Sequence, residues 1–181
     1  GAPLFNSTVI DTVEAGQTID QLIFTIDNVT DGVNELVSID GENITLATSV
    51  GTTTANSFGY NIVLAGNLAT VTLSKSDSAS TYQTLIDGLA YSNTSSLATT
   101  TSRVATLVSI TDSGGGADTT PLTTVSTIAV QRINDAPAIN NLDILKMQSL
   151  LNLIMEILLS RMQNLIYLIA AMVTTAVPPL Q

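Results

Sequence analysis

Between Val9 and Ile133 the chain is written in short apolar runs that alternate with polar residues and stop at Gly- or Asp-based turns. No other feature narrows the available folds so much. Period-two alternation places apolar side chains on one face of a strand, and frequent turn residues keep the strands short. Ile19, Leu22, Phe24 and Ile26 alternate, with a slip near Gln21–Ile23. Leu36, Val37 and Ile39 lead into Asp40-Gly41, and Ile44 and Leu46 follow, which predicts a hairpin. Tyr60, Ile62 and Leu64 run into Gly66-Asn67 and on through Leu68 to Leu73, which predicts a second. Val104, Leu107, Val108 and Ile110 predict a later strand, residues 112–118 a glycine loop, and Val125, Ile128, Val130 and Ile133 the last strand.

One stretch breaks the pattern. In residues 79–90, Tyr82, Leu85 and Ile86 have helical spacing, Ser80 can cap the start and Gly88 can close the end. About seven or more strands with one short helix predict an all-β, antiparallel β-sandwich. A parallel βαβ architecture would need helices that the pattern lacks.

Composition removes most chemistry. The 181 residues include 5 Lys and Arg against 15 Asp and Glu, a formal charge of −10, which opposes nucleic-acid binding. With His and Cys both at 0, imidazole acid–base catalysis, thiol nucleophiles, disulfides and ordinary zinc sites are closed off. No nucleophile–base set is visible, so the expectation is a protein that is not an enzyme. The acidic balance suits calcium, a ligand of carboxylate and carbonyl oxygens. Absence of Cys fits an exported bacterial protein.

The run Arg132-Ile133-Asn134-Asp135-Ala136-Pro137 ends the strand-like text. Ala136-Pro137-Ala138-Ile139 echoes Ala2-Pro3-Leu4-Phe5 at an offset of 134 residues, as successive junctions of a tandem array would. The expected organisation is a linker at residues 1–5, a domain at 6–137 and a separate tail at 138–181.

With that run in view, the body resembles a bacterial cadherin-like repeat, of the kind strung in arrays in large secreted adhesins. The resemblance spans roughly residues 5–139. It rests on Glu14 within residues 12–16, on residues 81–93, on residues 108–118 and on Ile133–Pro137. It implies a cadherin/Ig-like sandwich with a structural or adhesive role at the cell surface or outside the cell. The partners would be neighbouring repeats, and a cell-surface protein or glycan. It also implies calcium at the junction, with Asn134 and Asp135 as ligands, Glu14 as a contributor and Asp112 as a further candidate. The cadherin run is usually Asp-x-Asn-Asp-Asn; here Gln131, Arg132 and Ala136 replace three of its polar positions, and the mid-domain Asp-Arg-Glu motif is not apparent. An Asn-Asp pair before Pro also ends strands with no ion bound. The alternative is a carbohydrate- or protein-binding sandwich without calcium.

The tail is written differently. All 4 Met and none of the 11 Gly fall in residues 142–177, where Leu and Ile dominate. Residues 149–173 are long enough to span a bilayer, which would make the protein membrane-associated. Glu156 and Arg161 near the centre oppose that, at about 2.5–3.5 kcal/mol each. An extraneous amphipathic helix is the second account. A reading-frame shift is the third. Taking the last base of each codon with the first two of the next, Met147-Gln148 forces alanine, while Met155-Glu156 and Met172-Val173 force glycine. Permitted codons then turn residues 161–175 into an acidic, glycine-bearing string in the style of the body. A gene read across codons 140–146 separates the three accounts.

Overall fold

The computed structural model describes residues 1–132 and 144–175. The chain divides into two compact units, residues 1–135 and residues 136–181.

The first unit is mostly β, as the alternation predicts. Its strands are β1 (Ala2–Pro3), β2 (Ile19–Asp27), β3 (Glu35–Ile39), β4 (Glu42–Thr45), β5 (Ser49–Thr52), β6 (Gly59–Ala65), β7 (Leu68–Asp77), β8 (Ala90–Asn93), β9 (Arg103–Asp112), β10 (Thr119–Pro121) and β11 (Val125–Ile128). One helix, α1 (Ala79–Asp87), separates β7 from β8. A smaller sheet has the order β1-β8-β3-β4 and a larger one β10-β9-β2-β7-β6-β5, with β11 also paired to β9. Every pairing is antiparallel.

Local chemistry explains the hairpins. Asp40 and Gly41 both take positive φ, 53° and 82°, the twist that a two-residue turn between β3 and β4 requires. Ala65 faces Leu68 across the Gly66-Asn67 turn joining β6 to β7. The slip in the alternation near Gln21 is a bulge, where β2 shifts register against both β7 and β9.

Side chains from both sheets fill one core, giving a sandwich-like architecture. Val37, Ile39 and Tyr91 come from the smaller sheet; Phe24, Ile62, Val71 and Leu107 come from the larger. Burying each large apolar side chain contributes roughly 1.5–3 kcal/mol. Phe58 meets Tyr82 edge-on at 5.4 Å between ring centroids, and the Tyr82 hydroxyl donates to Lys75 O at 2.7 Å. Tyr82 therefore buries its ring without stranding its polar end. Residues 1–5 are held on this body: β1 pairs with β8, and Leu4 and Phe5 are buried in the core.

Helix α1 starts two residues earlier in the chain than the Ser80 cap predicts. Ser78 is the cap: its backbone is extended, and its hydroxyl accepts from Thr81 N at 3.2 Å. Ser80 already lies within the helix. Hydroxyls crowd this start, and backbone conformation rather than residue type selects among them.

The second unit contains α2 (Ile144–Thr175), 32 residues long. Its described side chains, residues 146–173, are all exposed. Lys146–Val173 is long and apolar enough to cross a membrane by length and composition, with mean hydropathy 1.4.

Residues 1–135 alone are expected to unfold in one cooperative transition. Phe58→Ala should lower their stability by about 3–5 kcal/mol, read from denaturant melts.

Candidate functional site

Strand β9 sets the geometry, because it runs from Arg103 at one pole of the domain to Asp112 at the other. Ten residues of strand span about 30 Å.

Glu14 and Asp112 share the second pole. The segment before β2 turns tightly there, with Val13 at φ 58°, Gly16 at φ 87°, and Glu14 N donating to Thr12 O at 2.5 Å. Gln17 Nε2 donates to the Glu14 carboxylate. The Gln17 amide also lies against Gly114, where a Cβ would come within 2.7 Å of Gln17 Nε2 and 2.8 Å of Asp112 Oδ1. Asp112 Oδ1 accepts from Gly114 N at 2.8 Å. The two predicted carboxylates are thus joined through an amide and a glycine. Gln17 Oε1 is buried and accepts no hydrogen bond. Calcium takes six to eight oxygens. Among the described residues no three or more acidic side chains form a metal-binding group.

Arg132 stands at the first pole, its Nε donating to Ala98 O at 3.0 Å. Asn134 and Asp135 follow it in sequence and lie outside the described residues. The structure therefore brings Glu14 and Asp112 together and sets both a strand's length from Arg132.

The same pole as Arg132 holds a buried polar network. Arg103 and Glu35 are both fully buried. Arg103 Nε donates to Glu35 Oε1 at 2.5 Å, and its Nη2 lies 3.1 Å from Asp31 Oδ2. Its Nη1 donates to Thr99 O and Thr101 O, which ties down the loop before β9. The Tyr91 hydroxyl donates to Glu35 Oε1 at 2.7 Å, and Asp31 N donates to Glu35 Oε2 at 2.6 Å. Asp31 accepts from Asn93 Nδ2, Thr99 N and Thr99 Oγ1 at 2.6–2.9 Å. One signal for this cluster existed. Arg103 shares a face with Ala105 and Leu107, and Glu35 with Val37 and Ile39, so the alternation itself points both charges inward.

A third group surrounds the β3–β4 turn. Asp40 accepts from Thr53 Oγ1 at 2.7 Å and from Asn56 N at 2.7 Å, and Glu42 accepts from Thr54. Beside it lies a cleft of about 490 Å³ lined by Asp40, Asn56, Ser80, Thr81 and Thr84.

Electrostatics assign these carboxylates a holding role. Burial alone would raise Asp31 and Asp40, but donated hydrogen bonds outweigh it. Thr99 and Asn93, with the Arg103 charge, hold Asp31 below the ordinary carboxylate range; Thr53 and Asn56 do the same for Asp40. A carboxylate lowered in this way is a poor base for activating the hydroxyl beside it. Asp77, just before the α1 cap, is lowered from 3.8 to about 2 by Lys75, Ser78 N and Thr81.

No protein-family model, curated protein or solved structure matches this chain.

Two outcomes test this assignment. Arg103→Met should cost about 3–5 kcal/mol, since it leaves Glu35 buried without its cation, while Arg103→Met with Glu35→Leu should cost less. A double variant as damaged as the single one would contradict the pairing. For pH, a carboxyl lowered in the folded state contributes stability above its unfolded pKa and loses it as pH falls through the folded one. The melting temperature should therefore hold down to about pH 5 and fall steeply from about pH 4 toward 2, and Asp77→Asn should flatten part of that fall.

Proposed function

We propose that residues 1–135 form a non-enzymatic structural and adhesive repeat of a bacterial cell-surface or secreted protein, a cadherin/Ig-like sandwich in a tandem array. The observation that carries this reading is an agreement between sequence and structure. Ala2–Pro3 is an edge strand, and Leu4 and Phe5 fill the core behind it. The same order of small residue, Pro and two apolar residues recurs at Ala136–Ile139, immediately after the compact unit closes at Asp135. A following domain that began as this one does would need such a segment at its start.

The rest of the molecule suits such a role. The hydroxyl–carboxylate pairs are hydrogen-bond anchors, and the buried ion pair stiffens one pole. Its partners are neighbouring repeats, together with a cell-surface protein or glycan. Calcium enters this reading at the junction, through Asn134 and Asp135 with oxygens from the next repeat. The physics is charge neutralisation: acidic domains repel until a divalent cation bridges them and fixes the linker.

In a protein with two consecutive repeats, millimolar calcium should raise the melting temperature. Asp135→Ala should remove that gain, while Glu14→Ala and Asp112→Ala should leave it. An unchanged melting temperature in calcium would sink the calcium role.

A further inference from the structure

The entering and leaving strands use the same pole of the domain. β1 runs antiparallel to β8, with Ala2 opposite Tyr91 and Pro3 opposite Ala90. β8 itself runs toward Asn93, which faces Glu35 at the start of β3. Ala2 therefore lies two residues, about 7 Å, inside the pole marked by Glu35 and Arg103, and the chain runs inward from that side. The exit is at the same place: β11 ends with Ile128 opposite Arg103, and Arg132 is bonded to Ala98. Only three residues, Ile133, Asn134 and Asp135, separate Arg132 from Ala136. Four extended steps reach about 14 Å.

This pole also carries apolar surface. Val33 is 77% exposed and Leu97 74% exposed. Their loops adjoin, since Thr94 N donates to Asn34 O at 2.9 Å and Thr99 N to Asp31 at 2.9 Å. Glu14, Asp20, Asp112 and Asp118 stand at the opposite pole, along the ends of β2 and β9, and the exposed Val13 there lies among these charges.

We infer that two repeats joined in sequence pair pole to pole, the Val33–Leu97 surface of one against the same surface of its neighbour, rather than head to tail in a rod. The inference rests on the tandem-repeat reading. The occupant of the surface is a second copy of this domain. A linker of three residues holds the next Ala2-equivalent within about 14 Å of Arg132, and that position lies beside the matching surface of the next domain. The acidic poles then point outward, as far apart as two domains allow.

The test joins two copies, residues 1–135 followed directly by residues 2–135, so that Ala2–Phe5 of the second copy stands where Ala136–Ile139 stands here. The chain has no Cys, so single labels are clean. One protein carries Ser96→Cys in both copies, and another carries Gly115→Cys in both. Distances come from electron–electron double resonance of spin labels. The pole-to-pole arrangement gives a Ser96 pair within about 25 Å and a Gly115 pair beyond about 60 Å, from a domain longer than its 30 Å central strand. Adding Val33→Asp and Leu97→Asp, both surface changes, should broaden the Ser96 distances without lowering the melting temperature of either copy. Equal distances for the two pairs, near one domain length, would overturn the inference and leave the repeat reading standing. Broad Ser96 distances before those changes would overturn it as well. If the joined protein fails to give two folded domains while residues 1–135 alone fold, the repeat reading itself falls.

Discussion

A guanidinium in a hydrophobic interior must be paired, and in this domain that requirement organises one whole end. Arg103 is buried at the start of β9, and three separate parts of the chain meet it: Glu35 from β3, Asp31 from the turn before it, and the carbonyls of Thr99 and Thr101. Tyr91 and Asn93 close the network from β8. An isolated buried charge would cost several kcal/mol, so none of these groups can move far without the others. The pair is also a device for specificity, because a register slip in β3 or β9 would turn one charge outward and leave the other unpaired.

The carboxylates elsewhere follow a related rule. Asp40, Glu42, Asp77 and Asp112 accept from backbone amides, and the first three also from Thr hydroxyls. Acidic and hydroxyl residues are abundant here for a structural reason: turns need acceptors that reach back to backbone amides. A charge of −10 is thus spread over turns and caps in which the carboxylates serve as acceptors.

Local features were legible before the fold was known. Asp40-Gly41 and Gly66-Asn67 announced their hairpins because turn geometry is decided by two residues. The slip at Gln21 announced a bulge because alternation with period two cannot hide an inserted residue. Helix α1 was visible in the spacing of Tyr82, Leu85 and Ile86. Long-range choices were not legible. Nothing local says that β2 lies between β7 and β9, or that a two-residue strand near Ala2 pairs with β8. The Arg103–Glu35 pair was missed because only the apolar residues of these strands were followed, and not the charges that share their face. Glu14 and Asp112 were read as calcium candidates without their place in the fold; the turn before β2 and the length of β9 set them at the pole opposite Arg132.

The shared pole of β1 and β11 has a mechanical side. Tension between the entering and leaving strands does not traverse the sandwich. It passes from β1 to β8, through Tyr91, Glu35 and Arg103, and out along β9 and β11. A pull on the chain therefore loads the short β1–β8 pairing and the buried ion pair behind it, while the far end, with its glycine loop and acidic turn, stays slack. In this domain the group most expensive to strand in the core is also the rivet between the two sheets to which the pulled strands belong.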